Sequence, residues 1–325
     1  MKVCVFGAGA VGGHLAVRFA TAGADVSVVA RGPHGAAIRA NGLTLLRGDD
    51  ATTVRVPCVD DARTLGAHDV VVVTLKGPAL GSIADALAAL LRPDGRVVFA
   101  MNGIPWWFGD GATIPMPAAL RERLDPGGRL TRTLDADQVV GCAIYSGNVV
   151  ERPGVVRSTS PQRNRMIVGR PDGKADARVD AFAALVAATG FEADITATIR
   201  EALWIKMQLI VAVSPICALT RCPIGEVADD PALRALALAA WRETRTLGAA
   251  LGFSIPSDED ARLAQYRGSP IHPSMLQDVE AGRPLEVDNG ILAFCDLARA
   301  LGHPVPTLDA IGALVGARAR HVGAS

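Results

Sequence analysis

A short apolar run, Lys2–Phe6, leads into Gly7-Ala8-Gly9-Ala10-Val11-Gly12, and this junction restricts the fold more than any other segment of the chain. Three glycines at G-x-G-x-x-G spacing, between a strand and a helix, allow what side chains forbid. The first permits a tight turn, the second lets backbone approach a pyrophosphate, and the third lets helix pack on strand. The amides at the helix start then carry a partial positive charge with no helical partners. Helical spacing over Val11–Thr21 follows, with Gly23 at its stop. A second apolar run, Val26–Ala30, comes about 20 residues after the first, as a dinucleotide-binding unit requires.

The residue after that second run selects the dinucleotide. Arg31 stands there, with no acidic residue next to it in sequence. NAD-binding units place Asp or Glu at this point for the ribose 2′-hydroxyl, whereas arginine pairs with a 2′-phosphate. NADPH or NADP+ is therefore the expected cofactor, held by Gly7, Gly9, Ala10, Val11, Gly12 and Arg31.

Further runs at Val70–Leu75, Arg96–Met101, Val139–Ile144, Met166–Val168 and Glu192–Thr196 read as strands, with helices near Ile83–Leu91 and Ala175–Thr189. Continuous rather than alternating Val/Ile runs fit strands covered on both faces, hence a parallel sheet. Beyond Ile199 such runs stop, and Glu201–Leu219, Pro231–Leu251, Leu285–Leu301 and Thr307–Arg320 have helical spacing. The expected fold is α/β, with a Rossmann-type doubly wound domain over 1–196 and an all-helical domain over 197–325.

Charge and composition narrow the function. Lys plus Arg and Asp plus Glu number 33 each, so the chain has no electrostatic drive toward nucleic acid or an anionic membrane. No run reaches about 18 consecutive apolar residues, so no membrane-spanning helix is expected, and the glycine-broken N-terminus lacks the marks of a signal peptide. Six scattered cysteines without a C-x-x-C pair, and dispersed histidines, suggest no metal site and fit reduced thiols in the cytoplasm. The expected partner is a small molecule; a homodimer is left open.

Ligands of open α/β sheets lie beyond the carboxyl ends of strands. Lys76 and Asn102 follow two such ends and are expected to face the cofactor. Lys206 lies in an otherwise apolar stretch running to Leu219, so its ammonium must find water, an anion or a carboxylate. It reads either as a general acid toward a carbonyl oxygen or as a lysine snorkelling to the surface. Ser274 suits a substrate carboxylate, and Glu286 suits a lysine or a hydroxyl. Each equally suits a helix terminus.

As a set these residues resemble the ketopantoate reductases (2-dehydropantoate 2-reductases). The resemblance spans essentially the whole chain. It rests on the glycine turn with Arg31, Val72-x-x-Leu75-Lys76, Asn102-Gly103, Trp204-x-Lys206, Pro215-x-x-Ala218-Leu219-Thr220, and Ser274-Met275-Leu276-Gln277-Asp278 with Glu286. It implies NADPH-dependent reduction of a 2-oxoacid, 2-dehydropantoate to pantoate, on the way to pantothenate. It implies Lys206 as the catalytic lysine, Glu286 and Ser274 as the substrate-site acid and serine, and Asn102 as the bridge between cofactor and substrate. The family typically carries asparagines four and eight residues after the lysine, where this chain has Ile210 and Ser214. That spacing keeps all three on one helix face, so Ile210 and Ser214 are expected to line the substrate pocket. Isoleucine offers no hydrogen bond there. Two alternatives follow: a reductase for a less polar 2-oxoacid or ketone, and a non-catalytic NADPH-binding sensor.

Overall fold

A computed structural model describes residues 1–112, 114–160, 162 and 164–322. The chain divides into two compact units, Met1–Met101 with Gly127–Arg200, and Asn102–Pro126 with Glu201–Ser325. The second junction lies close to the expected boundary at 196. Residues 102–126, expected in the first domain, pack instead with the helical unit.

In chain order the first unit contains β1 (Lys2–Phe6), α1 (Ala10–Thr21), β2 (Asp25–Val29), α2 (Gly32–Asn41), β3 (Leu43–Arg47), β4 (Asp50–Val54), β5 (Cys58–Val59), β6 (His68–Val73), α3 (Ala84–Leu90) and β7 (Leu91–Phe99). The chain then leaves for the second unit, where it forms α4 (Ala118–Leu124). It returns with α5 (Arg129–Thr133), β8 (Val139–Tyr145), β9 (Asn148–Arg152), β10 (Val155–Ser158), β11 (Arg165–Gly169), α6 (Ala177–Ala188) and β12 (Glu192–Ile195).

The main sheet has eight strands in the order β12-β11-β8-β7-β6-β1-β2-β5. Every residue of β6 is buried, as its unbroken valine run predicts for a strand covered on both faces. The sheet is not wholly parallel. β7 and β8 run parallel, but β11 pairs antiparallel with β8. The reason lies in the connection: β8 reaches β11 through two further strands rather than through a crossover helix.

Those strands belong to a second sheet, β4-β3-β10-β9, that the sequence reading did not contain. Asp50-Ala51-Thr52-Thr53-Val54 carries little apolar signal, which is why it went unread. One face of this sheet presents Leu43, Leu45 and Val156 to the core shared with α1. Gly13 lets the helix approach closely, since a Cβ there would stand 2.7 Å from Val156 Cγ2.

The second unit adds α7 (Ile199–Thr220), α8 (Ile224–Asp229), α9 (Pro231–Ala250), α10 (Glu259–Ala264), α11 (Ser274–Glu280), α12 (Ile291–Ala300) and α13 (Pro306–Val322). By length and composition α7 could cross a bilayer, although Lys206, Gln208 and Ser214 interrupt its apolar runs; 72% of its most apolar window is buried inside the protein. The Trp204 ring stacks on Phe294 of α12 with centroids 4.2 Å apart, and its Nε1 donates to the Thr244 carbonyl of α9 at 3.0 Å. The helix expected over Leu285–Leu301 begins only at Ile291.

Asp176 ties α6 to the sheet. Its Oδ1 accepts from the Arg178 and Val179 amides, and its Oδ2 from Arg96 at 2.7 Å and Arg170 at 3.1 Å. Burial opposes its charge, but Arg96, the capping amides and Arg170 outweigh it and hold the carboxyl below the usual range. A carboxyl depressed on folding adds stability above its unfolded pKa and loses it as pH falls through the folded value. Asp176→Ala is expected to lower the urea unfolding free energy at pH 7 by about 3 kcal/mol. The deficit should shrink below about pH 4, and a pH-independent deficit would refute the ionic role.

Candidate active site

The glycine turn is built from both neighbouring strands. Gly7 has φ +101°, a conformation that side chains disfavour. The Gly7 and Ala8 amides donate to the Val29 carbonyl at 3.0 and 3.2 Å, and the Thr74 hydroxyl donates to the Gly7 carbonyl at 2.5 Å. A Cβ on Gly12 would overlap that same carbonyl oxygen, while one on Gly9 would meet nothing within 4 Å. No side chain caps α1, so the amides of Ala10, Val11 and Gly12 remain available to an anion.

Arg31 lies two residues beyond β2, at the N-cap of α2, and is exposed, with its Nε donating to the Asp60 carbonyl at 3.3 Å. Two carboxylates that the sequence reading did not place are close in the chain fold. Asp60 is taken by Arg39 at 3.0 Å and Asp61 by Arg63 at 2.7 Å, and the Arg63 contacts draw the Asp61 pKa down to about 2. Both acids are thus paired elsewhere, and the cradle with its exposed guanidinium fits a dinucleotide bearing a 2′-phosphate. Lys76 is exposed directly beyond β6.

The second unit holds a pocket of about 450 Å3, its open mouth included. Asn102, Ile210, Ser214, Ser274 and Glu286 all line it, and Lys206 reaches its rim by donating from Nζ to Asn102 Oδ1 at 2.8 Å. Lys206 is only 7% exposed, so it does not snorkel. Ile210 and Ser214 share the lysine's helix at spacings of four, and the pocket wall follows that face. Pro215 stands inside α7 and has no N–H for the Val211 carbonyl one turn earlier.

Asn102 is held by a residue that sequence reasoning missed. Asn289 Nδ2 donates to the Asn102 carbonyl at 2.8 Å, and the Asn289 carbonyl accepts from the Ile104 amide at 2.6 Å. The intervening Gly103 has φ +98° and donates its amide to the Met207 thioether Sδ at 3.1 Å. In sequence, Asp288-Asn289-Gly290 reads only as a turn. Asp278 also lines the pocket; it is 5% exposed and accepts from Arg283 at 2.8 Å.

Comparison with known proteins decides the family. Residues 3–173 match the ketopantoate reductase PanE/ApbA family profile, and residues 198–319 match its C-terminal counterpart. The chain belongs to the ketopantoate reductase family. The 2-dehydropantoate 2-reductase of Mesorhizobium japonicum is 37% identical over 317 residues, 97% of each chain. A crystal structure of a provisionally assigned ketopantoate reductase from Ralstonia solanacearum superposes with TM-score 0.89 at 35% identity, covering 99% of this chain and 98% of the other. A PanE/ApbA family ketopantoate reductase from Ralstonia eutropha superposes at 0.82 with 25% identity, covering 99% of each.

A Cβ at Gly103 would lie 2.6 Å from Asn289 Cγ, in a backbone conformation that alanine resists. Gly103→Ala is therefore expected to destabilise the protein by about 2 kcal/mol or more in urea unfolding. Wild-type stability in this variant would show that the turn is not clamped.

Proposed function

We propose that this protein catalyses the NADPH-dependent reduction of 2-dehydropantoate to pantoate, with Lys206 as its proton donor. The observation that carries this reading is the 2.8 Å bond from Lys206 Nζ to Asn102 Oδ1, at the rim of a pocket also lined by Ser274 and Glu286. Family membership and the activity named for the Mesorhizobium relative support it.

Reduction of a 2-oxoacid adds a hydride to C2 and a proton to the carbonyl oxygen. Bound NADPH supplies the hydride. The chain's part is to hold the cofactor, orient the substrate and manage the proton. The turn amides and Gly7–Gly12 would bind the pyrophosphate, and Arg31 the 2′-phosphate, with Lys76 beside them. The Lys206 ammonium would draw the C2 oxygen to Nζ, stabilise the charge that grows on it, and pass it a proton. Asn102 holds that ammonium in place at the rim of the pocket. Ser274, exposed at the pocket mouth, suits the substrate carboxylate, and Glu286 suits its hydroxyl or the lysine. Six free cysteines, five of them buried, fit a protein of the reducing cytoplasm.

Ile210 gives the pocket an apolar wall, so reading of substrate hydroxyls falls to Ser214, Asn289 and the carboxylates.

Lys206→Ala should reduce kcat with 2-dehydropantoate about a hundredfold or more, with the NADPH Kd unchanged. Wild-type turnover in this variant would exclude Lys206 as the acid. Arg31→Ala should raise KM for NADPH while leaving that for NADH unchanged; equal loss for both would remove Arg31 from 2′-phosphate recognition. Ile210→Asn should raise kcat/KM for 2-dehydropantoate relative to an apolar 2-oxoacid by about tenfold or more. An unchanged ratio would mean that residue 210 does not read the substrate.

A further inference from the structure

One side chain joins the second sheet to the glycine turn. His34 stands on α2, three residues beyond Arg31, and is half-buried. Its Nε2 lies 2.7 Å from the Ala8 carbonyl oxygen, inside the turn. Its Nδ1 lies 3.1 Å from the Gly154 amide nitrogen, in the bend between β9 and β10. A carbonyl oxygen accepts and an amide N–H donates, so both bonds form together only with the neutral ring protonated at Nε2. Nε2–H then donates to Ala8, and bare Nδ1 accepts from Gly154.

Both partners are out of reach of bulk water. Ala8 is fully buried and Gly154 is buried. Gly154 has φ +78°, and a Cβ there would stand 3.2 Å from Ala37 Cβ, so the bend approaches α2 closely. Its carbonyl accepts from the Thr44 amide at 2.9 Å, which ties the bend to β3. Loss of the imidazole would leave a buried acceptor and a buried donor unmet.

The bridge sits between the two anion contacts of the dinucleotide site. The glycine turn and the start of α1 suit the pyrophosphate, and Arg31, at the N-cap of α2, suits the 2′-phosphate. The chain itself attaches α2 to the turn through Val29, whose carbonyl accepts from the Gly7 and Ala8 amides. Between Val29 and His34 lies Gly32 at φ +61°, where an added Cβ would meet nothing within 4 Å. A single attachment through such a joint is a hinge. His34 supplies the second attachment, and among the described residues it makes the one hydrogen bond between α2 and the glycine turn. The bonds of Arg39 and Arg31 to Asp60, at 3.0 and 3.3 Å, are exposed and do not reach the turn.

We propose that His34 is a positioning residue for dinucleotide recognition. By bridging Ala8 and Gly154 it fixes the span from the pyrophosphate turn to Arg31, and with it the preference for a 2′-phosphate. The second sheet is the support against which that span is set. This rests on the reading of the glycine turn and Arg31 as the NADPH site, and is independent of Lys206 and of the substrate.

The test is the Kd of the full chain for NADPH and for NADH, read from nicotinamide fluorescence with no 2-oxoacid present. His34→Ala is expected to raise the NADPH Kd about tenfold and the NADH Kd by less than about threefold. Partly unfolded protein weakens both dinucleotides alike, so their ratio separates positioning from lost stability. His34→Gln carries an N–H at about the reach of Nε2 and is expected to restore most of the preference. His34→Asn, whose amide extends only as far as Nδ1, is expected to behave as His34→Ala. With Arg31→Ala already in place, His34→Ala should alter the ratio no further. An unchanged ratio in His34→Ala, a Gln variant no better than Ala, or a further change on the Arg31→Ala background overturns the proposal and leaves the NADPH site standing. A wild-type chain without preference for NADPH overturns the cofactor reading, and this proposal with it.

Discussion

An ammonium ion removed from water must be met by oxygen, and in this protein much of the helical unit is arranged around meeting one. Lys206 sits 7% exposed on a helix chosen for apolar packing, and burial of an unmet charge there would cost several kcal/mol. Asn102 supplies the oxygen at 2.8 Å. For Asn102 to stand there, the chain must leave the main sheet at β7, turn through Gly103 at positive φ, and be clamped by Asn289. The interruption between Leu285 and Ile291 belongs to the same arrangement, because the Asn289 carbonyl serves the Ile104 amide. The excursion of 102–126 into the second unit is thus tied to the placement of one side-chain amide.

What could be read from the residues depended on whether the physics was local. The strand-turn-helix at Lys2–Thr21 was legible because its constraints are close by: Gly12 faces the Gly7 carbonyl and Gly7 faces Leu75 just beyond the neighbouring strand. Valine runs exposed β1, β2 and β6 for the same reason: covering both faces removes the need for alternation. The second sheet was hidden because its strands are short, β4 is threonine-rich, and β4 and β9 are largely exposed. The antiparallel β8–β11 pair was hidden because direction depends on the connection, not on strand composition. Among pocket residues, the place of Lys206 came from the family resemblance, and helical spacing then carried Ile210 and Ser214 onto the same face. Asn289 was not, since its partners are Asn102, 187 residues away, and Ile104, and an Asn-Gly pair by itself reports only a turn.

The pocket shows how a family scaffold admits change on one wall. Asn102, Ser274 and Glu286 line the pocket and Lys206 bonds to Asn102 at its rim, which supplies the polar groups that the proposed reduction of a 2-oxoacid calls for. Relative to asparagine, Ile210 removes two donors and two acceptor lone pairs from the α7 face of the pocket.

The apolar character of α7 has a consequence during synthesis. Its burial depends on Thr244 in α9 and Phe294 in α12, both downstream. Roughly 80 residues separate the end of α7 from the end of α12, so at 5–20 residues per second the helix waits about 4–16 s for its partners. For that interval the nascent chain presents a segment that by length and composition could span a bilayer, with only Lys206, Gln208 and Ser214 to mark it otherwise. A lysine within such a segment raises the cost of placing it in a bilayer for as long as the helices that enclose it are absent.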